Sequence, residues 1–183
     1  NALGILPDDE MEEEFARLGF YRIPAYVAER FPDLGPPEAF AGRVDQWMLA
    51  RYRSEVLLKA NVREYLRKLR SEGARCAVLT ASAPMFIEAI VERYHLEDCF
   101  AAAFSARQLG IGKEDPAIYT YLFEQLDCTA EDCVLFDDSP YAVRVASQAG
   151  LRTVGVLDPF FPQKHQALRE ICTRTISRYS ELL

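Results

Sequence analysis

The sequence predicts an α/β protein: a doubly wound parallel sheet preceded by a small all-helical unit. Three observations carry this. From Leu58 onward, short apolar runs alternate strictly with helix-period segments, the pattern of βαβ units and a parallel sheet. The runs themselves are nearly continuous, as in Cys76-Ala77-Val78-Leu79, which is what strands buried on both faces require. From Met11 to Val56, by contrast, apolar residues recur at helical spacing with no strand-like alternation. The division is therefore placed at a helical unit over 1–57 and an α/β core over 58–183.

In the helical unit the apolar positions are Phe15, Leu18, Phe20, Tyr26, Val27, Phe40, Val44, Trp47, Met48 and Tyr52. The segments break at Pro24, Pro32 and Pro36-Pro37, because proline cannot continue a helix. Trp47 shares an apolar face with Val44 and Met48, so core packing is expected of it. In the core, Val62 to Glu72 is amphipathic, with Val62, Tyr65, Leu66 and Leu69 opposite Arg63, Arg67, Lys68 and Arg70. Gly73 stands where a helix C-cap belongs. Strand 76–79 follows, then a helix from Pro84 to His95 and a strand from Ala101 to Phe104. Next come a helix from Asp115 to Leu126, a strand from Cys133 to Phe136 and a helix from Ser139 to Ala149 closed by Gly150. Strand Thr153 to Val156 and a helix from Gln166 to Cys172 complete the series, before a short tail.

Composition narrows the function. The 183 residues carry 21 basic and 28 acidic side chains, net −7, and half are apolar. That is enough apolar surface to build a core, so a disordered chain is excluded. An acidic balance argues against gripping nucleic-acid backbones, which needs clustered Lys and Arg. The longest uncharged stretch, Cys76 to Ile87, is far short of the ~20 residues of a spanning helix. The five cysteines are odd in number and three lie in apolar runs, so free thiols in a reducing cytoplasm are expected. Cys128 and Cys133 are wrongly spaced for a zinc knuckle, and His95 and His165 stand alone as surface or helix-end residues.

In a doubly wound sheet the site lies beyond the carboxyl ends of the strands, so the residues there matter most. After Leu79 come Thr80-Ala81-Ser82, a hydroxyl and backbone N–H groups leading into a helix, which form a phosphate cradle or, more plainly, an N-cap. After Phe104, a loop brings Lys113 to a helix start, where its ammonium points at a phosphate or is simply solvated. After Phe136 come Asp137-Asp138, two carboxylates at a buried strand end that need a positive partner. A hard divalent cation such as Mg2+ suits them; a helix N-cap with an acidic first turn is the simpler role. Converging on one crevice, hydroxyl, ammonium and carboxylate pair have the electrostatics of a phosphomonoester site.

These residues resemble the haloacid dehalogenase (HAD) superfamily, in the helical-cap branch of phosphoglycolate phosphatases and β-phosphoglucomutase-like proteins. VLTAS (Val78 to Ser82) is similar to its second motif, GKEDPAIY (Gly112 to Tyr119) to its third, and VLFDDSPYAVRVASQAG (Val134 to Gly150) to its fourth and the following helix. LKANVREYLRKLRSEG (Leu58 to Gly73) resembles the segment leading from cap to core. The resemblance implies a Rossmann-like core and a Mg2+-dependent phosphatase working through an aspartyl-phosphate. Thr80, Ala81 and Ser82 would bind phosphate, Lys113 would bind phosphate and the nucleophile, and Asp137 and Asp138 would hold the metal. It further implies a small phosphorylated metabolite as substrate, a monomer or weak dimer, and a cap that closes as a lid.

Two departures stand out. Glu114 replaces the proline that usually follows the lysine. More seriously, the first motif, DxDxT after an apolar strand, occurs nowhere in the 183 residues. It supplies the nucleophilic and acid/base aspartates, so the fragment is expected to be inactive. In the family its strand lies between those ending at Thr80 and Asp137. The resemblance therefore implies roughly 20 residues before Asn1, room for one strand and a turn, without which the two neighbours show unpaired edges. Alternatives of other kinds are a phosphosugar mutase of the β-phosphoglucomutase type and a degenerate, non-catalytic phosphate-binding module. Motif order argues against a receiver domain, whose acidic pair follows the first strand. Arg22, Arg43, Arg51 and Arg53 are candidates to meet an anionic substrate or, more simply, form a solvated face.

Overall fold

The computed structural model describes residues 23–183 together with Met11. Phe15, Leu18, Phe20, Arg22 and the rest of the acidic stretch Pro7 to Glu14 lie outside the described residues. Contacts divide the chain into two compact units, Asn1–Val56 and Leu57–Leu183.

The first unit contains helices α1 (Ile23–Arg30) and α2 (Pro37–Ser54), with a 3-10 turn at Pro32–Leu34 between them. The prolines begin helical segments more than they interrupt them. Pro24 sits in the first turn of α1, Pro32 opens the 3-10 turn, and Pro37 opens α2 after an extended Pro36. At those positions the missing N–H has no intrahelical acceptor to lose. Val27 and Phe40 are buried. Two candidate anion-binding arginines are engaged locally: Arg43 donates to the Leu34 carbonyl at 2.5 Å, and Arg51 stacks 3.8 Å above the ring of half-buried Trp47.

The second unit begins with α3 (Val62–Ser71), which ends at Gly73 with φ +82°, a left-handed conformation that suits glycine. There follow β1 (Ala77–Thr80), α4 (Pro84–Tyr94), β2 (Ala102–Ser105) and the short α5 (Ala106–Leu109). Then come α6 (Ala117–Leu126), β3 (Val134–Asp137), α7 (Pro140–Gln148), β4 (Arg152–Val156), α8 (His165–Ile171) and β5 (Arg174–Ile176). All strand pairs are parallel, and they form two sheets, β1-β2 and β3-β4-β5.

The break between the sheets falls between the strands ending at Thr80 and Asp137, where the resemblance implies a further strand. Among the described residues β1 pairs only with β2, and β3 only with β4. Burial follows pairing. In β4, bonded on both edges, Thr153 to Val156 are all buried, whereas Ala77 is exposed and Val134 is 40% exposed. The expected two-sided burial of the 76–79 run is thus corrected: it is a half-buried strand.

Side chains hold the two sheets side by side. Leu79 of β1 and Leu135 of β3 pack on the same cluster of Ala106, Ile118, Tyr119, Leu122 and Ala146. Alternation sends Phe136 to the opposite face, where it meets Tyr65 of α3 at 5.8 Å and Tyr179 at 6.0 Å between ring centroids. One residue further along α3, Leu66 packs with Cys76, just before β1, and with Leu96. So α3 spans the interruption on one face while α5, α6 and α7 span it on the other.

Two contacts yield tests. Gly155 of β4 lies against α8 so closely that an added Cβ would come within 2.9 Å of Cys172 Sγ and 3.2 Å of Leu168 Cβ. Gly155→Ala should destabilise the fold by about 1–3 kcal/mol through overpacking. Thermal unfolding checks this, and adding Cys172→Ala should recover part of the loss. Lys59 forms an ion pair with Asp158, which follows β4, and holds that carboxyl below the usual range; the Phe160 N–H bond adds to the effect. A carboxylate with a lowered pKa stabilises the fold above its unfolded pKa and loses that contribution as pH falls through the folded one. With Lys59 44% exposed, the pair contributes at most about 1 kcal/mol. Lys59→Met should therefore lower the melting temperature slightly at neutral pH. Melting curves at acid pH should show the two proteins converging.

Candidate active site

Register sets the site. Parallel pairing places Thr80 opposite Ser105 at the end of the first sheet and Asp137 opposite Gly155 at the end of the second. Polar residues thus gather where the strands run out, at the edge where doubly wound sheets bind ligands.

The Thr80–Ser82 turn does not cap α4. Thr80 Oγ1 accepts the Ser82 N–H at 3.0 Å, and the residue at the helix N-cap is Ala83, extended and without a side-chain bond. Ala81 is exposed and Ser82 half-buried. The turn is braced from β2. Ser105, 4% exposed, donates its hydroxyl to the Ser82 carbonyl at 2.7 Å and accepts the Gln108 N–H at 3.1 Å, so it also caps α5.

Lys113 is not a solvated loop residue. Its side chain is 13% exposed, and Nζ lies 2.6 Å from Asp137 Oδ2. Asp137 is buried, and its other oxygen, Oδ1, accepts the Ser139 N–H at 2.8 Å. The carboxylate is therefore held from two sides, by an ammonium and by the backbone turn into α7. Asp138 is half-buried and has no ion-pair or hydrogen-bond partner among the described residues. The structure thus separates two carboxylates that are adjacent in sequence: one is occupied by Lys113, the other has no partner among the described residues.

Tyr119 joins the parts together. Its ring is 1% exposed in the central cluster, and its hydroxyl donates to the Ala142 carbonyl at 3.0 Å. This fixes α6, which Lys113 precedes, against the first turn of α7, which Asp137 and Asp138 precede. Burial pushes the Tyr119 phenol far above its ordinary value, and the nearby Asp137 adds to that, so it stays protonated as a donor.

The sequence reading missed Ser105 and Tyr119 as contributors. Ser105 carried a usable signal, a hydroxyl at a strand's end, while Tyr119 reads as an ordinary core aromatic. The structure brings Lys113 and Asp137 into contact and sets Thr80, Ala81 and Ser82 at the carboxyl end of the first sheet and Asp138 at that of the second. Asp158 follows β4 but turns to Lys59 and the Phe160 N–H.

Known proteins resemble this chain. A family model described as haloacid dehalogenase-like hydrolase matches residues 10–150. A phosphoglycolate phosphatase from Colwellia psychrerythraea is 30% identical over 102 residues, 56% of this chain and 45% of that protein. A phosphorylated carbohydrates phosphatase from Thermotoga maritima is 33% identical over 100 residues, 54% of this chain and 46% of that protein. The chain spans about half the length of these curated relatives. Among solved structures, CbbY from Rhodobacter sphaeroides in complex with xylulose-(1,5)-bisphosphate superposes with a TM-score of 0.81. It is 20% identical, with 98% of this chain and 82% of that one covered, a likeness of fold. A HAD family hydrolase from Deinococcus radiodurans with bound phosphate and sodium gives a TM-score of 0.68 at 25% identity, covering 98% and 80%.

Ser105→Ala removes the N-cap of α5 and the brace on the Ser82 carbonyl together. Losing a cap costs about 1 kcal/mol and freeing a buried acceptor adds a similar amount. The expected melting loss corresponds to about 1–3 kcal/mol, with Ser105→Thr retaining most of the stability. Calorimetry of both variants is the check.

Proposed function

The chain belongs to the haloacid dehalogenase-like hydrolases, and from that premise we propose that it forms the phosphate- and metal-binding part of a Mg2+-dependent phosphatase for small phosphomonoesters. The observation that carries this is the Lys113–Asp137 pair, buried at the carboxyl end of β3. An ammonium held so firmly beside the strand ends serves an anion best. Thr80 and the N–H groups after it would take the phosphoryl oxygens. Lys113 would neutralise their charge, and Asp137 would keep that ammonium aimed. The phosphatases among the relatives support hydrolysis over transfer, and the names of two of them support phosphoglycolate or a sugar phosphate as the substrate class.

The donor set fits Mg2+. It consists of hard carboxylate oxygens, few in number, leaving positions for water and phosphate. Asp138, without a partner of its own, is the stronger candidate ligand, and Asp137 would contribute through lone pairs that Lys113 and Ser139 leave free. When bound, the ion would supply positive charge to the phosphoryl oxygens as bonds rearrange. An aspartyl-phosphate intermediate needs a carboxylate nucleophile, and no DxDxT triplet occurs in the 183 residues. The open edges of β1 and β3 mark where the strand bearing such a residue would pair. Among the described residues no helix is long and apolar enough to cross a membrane. All five thiols are free, which supports a reducing, cytoplasmic setting.

Titration calorimetry with inorganic phosphate and Mg2+ tests the reading on the 183-residue chain. Phosphate should bind without turnover of phosphoglycolate or sugar phosphates. Lys113→Met should weaken phosphate binding roughly 10- to 100-fold, the loss of one charge-assisted contact, and Asp138→Asn should remove the dependence of binding on Mg2+. Absence of phosphate binding in a folded chain would refute the site. Robust phosphatase activity would refute the assignment of the missing nucleophile.

A further inference from the structure

At the other end of β3, away from Asp137, two thiols meet. Cys128 lies two residues beyond α6 and Cys133 immediately before β3. Both are half-buried, and their Sγ atoms share a hydrogen bond at 3.5 Å. The turn between them is rigidly made. Thr129 donates its N–H and its hydroxyl to Asp132 Oδ2 at 3.0 and 2.7 Å, and Cys133 N–H reaches the Ala130 carbonyl at 3.1 Å. Cys128 N–H bonds the Phe123 carbonyl at 3.1 Å, so the first thiol is anchored to the end of α6. The backbone has thus already brought the sulfurs together, and little further ordering is needed to join them.

The surroundings distinguish the two. Burial pushes the Cys133 thiol up to about 11, helped by the hydrogen bond shared with Cys128, while the Arg75 guanidinium opposes the shift. That guanidinium is held at the turn by its bond to the Leu126 carbonyl at 2.6 Å. Cys133, held at the start of β3, suits the second role, attack on an already oxidised sulfur, and Cys128, in the turn after α6, suits the first.

We propose that Cys128 and Cys133 are a redox-active dithiol that a hydroperoxide closes to an intramolecular disulfide. The Cys128 thiolate attacks a peroxide oxygen, the O–O bond breaks, and an alcohol or water leaves with a proton, giving the sulfenic acid. The Cys133 sulfur then attacks the Cys128 sulfur. The S–S bond forms, the S–O bond breaks, and water departs with the Cys133 proton. Two electrons pass from the sulfurs to the peroxide oxygens. A dithiol reductant reverses the step.

Trypsin offers a direct reading, because cleavage after Lys113 and Arg144 yields one peptide, Glu114–Arg144, holding both residues and no other cysteine. The folded 183-residue chain is treated with hydrogen peroxide, remaining thiols are alkylated, and the digest is weighed. This peptide should be lighter than its reduced form by two hydrogens, carry no alkyl group, and return to two free thiols with dithiothreitol. In Cys133→Ser the peptide should instead carry a dimedone-trapped sulfenic acid at Cys128, with circular dichroism confirming the fold. The proposal is overturned if the peptide keeps both thiols while Cys76 or Cys172 oxidises. It is overturned equally if Cys128 and Cys133 oxidise separately to sulfinic acids or bond to other cysteines.

Discussion

A buried carboxylate cannot stand alone, and Asp137 is the point from which the rest of the core is organised. Left unpaired in its pocket it would cost several kcal/mol. Lys113 and the Ser139 N–H answer one oxygen each, and both answers have structural consequences. The ammonium draws the loop before α6 down to the end of β3. The Ser139 bond shapes the turn that starts α7. Tyr119 then closes the triangle by bonding the first turn of α7 from within α6. Loop, strand end and two helices become one body around the central cluster of Ile118, Tyr119, Leu122 and Ala146. A ligand meeting Lys113 meets a charge whose position was set during folding, which is the condition for preorganised electrostatics.

That body has to hold two sheets in line without a hydrogen-bonded strand between them among the described residues. Side-chain layers do it. Leu79 and Leu135 share a cluster on one face, and α3 reaches Phe136 through Tyr65 and Cys76 through Leu66 on the other. Burial is non-directional, so these layers fix the spacing of the sheets less sharply than backbone bonding would. The edges of β1 and β3 at the break carry N–H and C=O groups with no strand partner among the described residues, and buried groups of that kind are costly unless satisfied. The partial exposure of Ala77 and Val134 is the structural answer, since water reaches where no strand does.

How much of this was legible in the sequence depends on which force each part obeys. The βαβ alternation is written in apolar runs, and the element order follows it. Strand ends were misplaced in a consistent direction. β1, β2 and β3 run on to Thr80, Ser105 and Asp137, each one residue past the apolar run. Those last residues keep the strand's backbone pairing but carry polar side chains for the site, so hydropathy stops one step short where chemistry begins. β5 leaves no apolar run, because Arg174-Thr175-Ile176 is short and mostly polar. Sequence alone does not say whether a proline such as Pro24 ends one helix or begins the next. The Lys113–Asp137 contact joins residues 24 apart, and no local pattern encodes such a pairing.

The acidic doublet shows why order within a motif matters. Asp137 is the last residue of β3 and its carboxylate is buried, whereas Asp138 is the first residue past the strand and only half-buried. One position of chain decides which carboxylate is neutralised by protein and which is not. Exchanging their roles would put the unpaired charge inside and the paired one outside. That arrangement leaves a buried anion with no neutralising charge, and its desolvation cost is then uncompensated. The doublet is therefore two separate devices. The first makes Lys113 dependable, and the second carries no such duty in the fold.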